Sequence, residues 1–186
     1  MTVTILDPRS ALIVVDLQKG IAGLPSAHPI ADVVASAAVL LAAFRQHGLP
    51  VVLVNVTGLA PGRTERGMSR SSFPPDFADL LPELDPQPSD MLVTKQTWGA
   101  FTGTDLEARL RGQGVTQVVI CGVSTSAGVE STARFAHELG FHVTLATDAM
   151  TDMSLEAHDN SVTRIFPRLG ESGTAQAIVA LLDTRG

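Results

Sequence analysis

The chain has 186 residues, 45% hydrophobic, 17% charged and 4% aromatic, a composition that suits one sizeable core and a single domain over residues 1–186. A formal net charge of -6 argues against a nucleic-acid partner, which is normally met by a basic stripe that displaces counterions from phosphates. The single cysteine, Cys121, excludes an intramolecular disulfide framework and a multi-cysteine zinc site, and no apolar run reaches the roughly 18 residues of a membrane span. The opening MTVTILDPRS carries no secretory-signal pattern, so a reducing, cytoplasmic location is expected.

Residues 11–17, ALIVVDL, form a β-branched run suited to a strand buried on both faces, with Asp16 at its end. From 30 to 47 the sequence is rich in Ala, Val and Leu without Pro or Gly. Gly48-Leu49-Pro50 then stops it, as a glycine and a following proline stop a helix. Residues 51–56, VVLVNV, predict a second buried strand. The stretch 57–88 holds six prolines and three arginines, and predicts a long loop with one short helix near 76–81. Loops of that length usually serve as lids or binding segments.

Alternation resumes with a strand at 91–95, a helix over 104–112 and the strongest strand of the chain, VTQVVICGV, at 115–123. A helix at 126–139, a strand at 141–149, a polar helix at 155–165 and a C-terminal helix from Thr174 complete the pattern. Strand and helix in repeated alternation predict an α/β fold, a parallel sheet with helices on both faces and right-handed crossovers. In such sheets ligands collect beyond the carboxyl ends of the strands, where the strand order reverses.

Three polar features stand at such ends: Asp16 after the first strand, Lys95 closing the third, and the turn Gly122-Val123-Ser124-Thr125-Ser126-Ala127-Gly128 after the fourth. Singly, each has an ordinary account as a turn former, a solvated lysine or a helix start. Together at one end of one sheet they point to a site.

IVVDLQ (13–18), TKQTWGAFTGTDLEARLR (94–111) and VVICGVSTSAGVESTARFA (118–136) resemble the three signature blocks of the isochorismatase-like hydrolase superfamily, in the same order and at similar spacing. The resemblance implies a three-layer α/β/α sandwich, Rossmann-like, around a mostly parallel sheet of about six strands. It also implies a hydrolase acting on a small-molecule substrate, in a homodimer or higher homo-oligomer. Members of the superfamily commonly use an Asp, Lys, Cys triad. Asp16 and Lys95 match the first two, but the position matching the nucleophile, just before Val-Glu-Ser-Thr-Ala-Arg, is Gly128. Cys121 lies earlier, inside the strand, and reads as a small core residue.

True isochorismatases resemble this chain in having glycine there, and they cleave a vinyl ether without a covalent intermediate. On that resemblance Asp16 is the general acid and Lys95 its partner, with Gly128 the third catalytic position, where relatives carry the cysteine. Burial would raise the Asp16 pKa and Lys95 would lower it, and the sequence does not decide between them. Two alternatives stay open: a disabled amidohydrolase that keeps a binding pocket, and a thiol enzyme altered at position 128.

For an anionic substrate, Arg63, Arg66 and Arg70 of the long loop are candidate carboxylate ligands, with a solvated basic loop as the ordinary account. Phe73, Trp98 and Phe101 are candidate pocket walls, with core packing as the default. Gln18 could orient Asp16 or a water, or cap the next segment. Some relatives have a cis peptide between the residues matching Val123 and Ser124, which turns backbone N–H groups toward a substrate oxygen. No metal is expected, because His28, His47, His137, His142 and His158 lack ligand spacing, and His28 reads as a surface-loop residue near Asp16. No nucleotide cofactor is indicated either, since the glycine turn fits neither phosphate-binding fingerprint.

Overall fold

The computed structural model describes residues 3–65 and 73–184. The first strand, β1 (Ser10–Val15), is buried along its whole length. Alternate side chains of a strand point to opposite faces, so Leu12 and Val14 enter one apolar layer while Ala11, Ile13 and Val15 enter the other. A single helical turn, α1 (Lys19–Ala22), precedes the long α2 (Ile30–Gln46), whose Val33, Val34, Ala37, Leu40, Leu41 and Phe44 make one buried stripe.

The chain continues through β2 (Val51–Val56), β3 (Met91–Lys95), α3 (Leu106–Gly112) and β4 (Gln117–Val123). It closes with α4 (Glu130–Glu138), β5 (His142–Thr151), α5 (Leu155–Asn160), β6 (Glu171–Gly173) and α6 (Ala175–Asp183). The six strands lie in the order β3-β2-β1-β4-β5-β6, each pair of neighbours parallel. Helices α2 and α6 pack on the layer that holds Leu12 and Val14, and α3 and α4 on the opposite layer, which gives the three-layer α/β/α sandwich. Because β1 is followed outward by β2 and β3 while β4 returns to its other side, the strand order reverses between β1 and β4.

Three expectations need correction. Residues 75–78 form a turn, and the short helix of the long loop is a 3-10 turn at Pro82–Leu84. The segment before it is pinned to the chain that follows Asp16: Lys19 N donates to Asp79 O, Gly20 N to Phe77 O and Leu81 N to Leu17 O. Backbone groups engaged across to another segment are lost to helix formation. Second, the helix expected at 126–139 opens with a π-helical turn at Thr125–Val129 before α4 begins, and the one at 155–165 divides into α5 and a π turn at Ser161–Ile165. Third, β6 was not expected: its three residues, ESG, carry no apolar alternation and become a strand by pairing with Thr144, Leu145 and Ala146. Arg66 and Arg70 lie outside the described residues. Among those described, no helix is long and apolar enough to cross a membrane.

Candidate active site

β1 ends at Val15, and Asp16 steps out of the ladder in the left-handed region, at φ 52°, while its N–H still donates to Val54 O at 2.9 Å. Asp tolerates this region better than most residues, but a non-glycine residue held there needs surroundings that fix it. Lys95 ends β3, two strands away. With strands about 4.8 Å apart, its long side chain crosses the end of β2 to place Nζ 2.6 Å from Asp16 Oδ2. Nζ also donates to the Thr97 carbonyl at 3.0 Å. The two residues are 6% and 2% exposed, so this is a buried ion pair rather than a surface one.

The pair is not fully satisfied. Asp16 Oδ1 is buried without a hydrogen-bond partner, and an ionised carboxylate with an orphaned oxygen is costly. Burial pushes the Asp16 carboxyl up to about 6, against the pull of the Lys95 charge and hydrogen bond. Desolvation therefore wins the contest that the sequence left open. Around pH 6 and below this carboxyl holds its proton, and Oδ1 is the oxygen left without a partner.

The third feature faces this carboxyl from across the switch point. Gly122, at φ +118°, is required by β1, because a Cβ there would run into the Val15 carbonyl oxygen. The Val123–Ser124 peptide bond is cis, and the π turn then carries Gly128 toward Asp16. A Cβ on Gly128 would stand 3.2 Å from Asp16 Oδ2, 3.0 Å from Val15 Cγ1 and 3.2 Å from Val123 O. Asp16, Lys95 and Gly128 are thus brought together.

Other expected residues divide. Trp98 lies 61% exposed on the loop beyond Thr97, and Arg63 is exposed on the loop after β2. Phe73 stacks on Phe77, centroids 4.1 Å apart. Phe101 is corrected from pocket wall to packing residue, since its ring lies 5.9 Å from that of Phe141 in the layer under α3 and α4. Gln18 is corrected too. It is wholly buried, its Oε1 accepts from Val56 N, and its Nε2 donates to Val56 O and Phe77 O, so the amide has no hydrogen left for Asp16 or a ligand. Cys121 sits in the apolar layer, where burial foremost, with Asp148 adding to it, pushes its thiol up to about 12.

Residues that sequence reasoning missed hold the turn in place. Thr132, fully buried on α4, donates to Gly128 O at 2.7 Å and accepts from Ala100 N, tying the loop after Lys95 to the glycine. Asp152 accepts from both Ser126 N and Ser126 Oγ, at 2.7 and 2.8 Å. His28 is no free surface residue: its Nδ1 lies 3.0 Å from Thr151 Oγ1 and its ring 4.6 Å from that of His158. Thr132 stood inside a recognised block, whereas Asp152, His158 and His28 depend on contacts between distant segments. Among the described residues no group of three His, Cys, Asp or Glu is placed to hold a metal ion.

The family model described as Isochorismatase domain matches residues 10–177. An uncharacterised isochorismatase family protein of Escherichia coli O157:H7, YecD, is 42% identical over 93% of this chain and 96% of its own length. A second, YwoC of Bacillus subtilis, is 41% identical over 90% of this chain and 91% of its own. The solved structure of an isochorismatase family protein from Burkholderia thailandensis superposes with a TM-score of 0.92 at 40% identity, covering 96% of this chain and 98% of that one. More distant relatives carry the names of isochorismatases and of amidohydrolases. Agreement of the family model, the relatives and the superposed fold over nearly the same span establishes that this chain belongs to the isochorismatase family and is a hydrolase.

Proposed function

We propose that the chain hydrolyses a small anionic enol ether of the isochorismate type, with Asp16 as general acid and without a covalent thiol intermediate. The observation that carries this reading is the Asp16 carboxyl itself: buried, raised to about 6, with one oxygen unpartnered and a glycine opposite it. Protonated Asp16 delivers its proton to the terminal vinyl carbon. Water captures the resulting oxocarbenium ion, and the hemiketal collapses to pyruvate and an alcohol. Lys95 holds Oδ2 and so leaves Oδ1 to carry the proton. A bound anionic substrate adds negative charge beside Asp16 and favours the protonated form further. Trp98 and the Val123–Ser124 peptide lie on segments that flank the carboxyl and are the groups assigned here to substrate contact, with Arg63 as a candidate carboxylate ligand from the loop.

A second reading has its own support. A side chain at position 128 would start within 3.2 Å of Asp16 Oδ2, so a thiol there would lie within reach of a base, the arrangement of a cysteine amidohydrolase whose nucleophile has been lost. Pyruvate release from isochorismate by the purified protein separates the two. Turnover that falls on the order of 10²–10⁴-fold in Asp16→Asn and survives Cys121→Ser supports the acid mechanism. No turnover of the enol ether, with amidase activity appearing in Gly128→Cys, supports the disabled amidohydrolase.

A further inference from the structure

Behind the turn that carries Gly128, on the side away from Lys95, four segments meet in a polar cluster with no part in the acid chemistry. The π turn contributes Thr125, which is fully buried, the end of β5 contributes Thr151 and Asp152, α5 contributes His158, and the loop after α1 contributes His28. Thr125 Oγ1 and His158 Nδ1 are 2.9 Å apart. His28 donates its backbone N–H to Thr151 Oγ1 at 3.1 Å, and its Nδ1 lies 3.0 Å from the same oxygen. The two imidazoles meet edge to face, centroids 4.6 Å apart.

We propose that His158, with His28 against it, is a positioning residue for the turn Ser124–Gly128, and that proton uptake by His158 loosens the turn from the side opposite Lys95. The proposal rests on the reading that places Gly128 against Asp16, though not on which bond the enzyme cleaves. Its basis is the 2.9 Å contact between His158 Nδ1 and the buried Thr125 hydroxyl of the turn. In the tautomer with its proton on Nε2, a neutral His158 accepts the Thr125 hydroxyl at Nδ1, whereas an imidazolium can only donate there, so in that tautomer protonation reverses the bond and obliges a buried hydroxyl to find a new acceptor. It also places a cation against the His28 ring.

The charged groups around His158 are few. On α5 itself stands Asp159, exposed. At the end of β5 lies Asp152, buried and engaged with Ser126. From α4 comes Glu130, which accepts from Ser161 Oγ at 2.6 Å and pairs with Arg134. Asp159 and Asp152 favour the proton, but burial first and His28 second hold the His158 pKa below its usual 6.5. A buried imidazole kept neutral in this way contributes stability above 6.5 that is lost as pH falls through its lowered folded value. The cluster is therefore set for neutral pH and disturbed by acid.

The test follows the amide resonance of Gly128 and the ring proton of His158 by NMR through the acid range, in Asp16→Asn protein so that the carboxylate does not contribute. Both are expected to move with one midpoint below 6.5, and His28→Gln to raise that midpoint by removing the facing ring. In Thr125→Val, which removes the hydroxyl and leaves the imidazole, His158 should still titrate while the Gly128 response falls severalfold. A Gly128 resonance that ignores the His158 midpoint, or one that follows it equally well in Thr125→Val, overturns the proposal. Absence of enol-ether turnover would defeat the proposed reaction and leave these titrations as they are, so the two failures are distinguishable.

Discussion

Two buried polar regions flank the turn Ser124–Gly128, and they are built on opposite plans. On the β1 and β3 side, the Asp16–Lys95 pair leaves a carboxylate oxygen without a partner. On the β5 and α5 side, Asp152 engages Ser126 N, Ser126 Oγ and Ser154 N, while the two imidazoles are each matched to a threonine hydroxyl. The second plan is what a fold needs in order to hold a loop, since buried polar groups are normally satisfied. The first is what acid catalysis needs, a carboxyl whose charged form is disfavoured and whose proton has somewhere to go.

The comparison is broken most severely at Lys95. Lys95→Met removes the only charge paired with Asp16 among the described contacts, and the stranded carboxylate should cost about 3–5 kcal/mol at neutral pH, measured by denaturant unfolding. Lowering the pH should return part of that loss as Asp16 takes up its proton.

A smaller effect sharpens the contrast in the intact protein. A carboxyl raised from 3.8 to about 6 contributes stability that is complete below 3.8 and is lost as pH rises through about 6, because the unfolded chain gives up the proton first. The stability of the wild type relative to Asp16→Asn should therefore fall between pH 4 and 7 by on the order of 2–3 kcal/mol. The His158 cluster has the reverse sign, weakening as pH falls, so the two flanks are separable by the direction of their pH dependence.

How much of this was legible in the sequence follows the same division. Asp16, Lys95 and the glycine turn were visible because each stands at the carboxyl end of a recognisable strand, and a parallel sheet brings such ends to one edge. The strands themselves were legible as β-branched runs such as VVLVNV, whereas ESG was not, since its strand character comes wholly from its neighbour. Gln18 and Phe101 misled for a shared reason. Nearness in sequence to Asp16 or Lys95 said nothing of where the side chain turns, and one is consumed by the backbone of β2 and the long loop while the other packs on Phe141. Thr125, Asp152 and His158 acquire their roles only when the end of β5, α5 and the π turn meet, over separations that local pattern does not encode. The balance between burial and Lys95 at Asp16 was likewise a question of depth, which only the packed structure answers.

The central claim is that burial raises the Asp16 carboxyl well above its ordinary range in spite of Lys95, and it is tested most directly by following the Asp16 side-chain carboxyl carbon by NMR in selectively labelled protein. The account predicts a midpoint near 6. A midpoint at or below the ordinary carboxylate value of 3.8 would mean that Lys95 prevails over burial, and would contradict it.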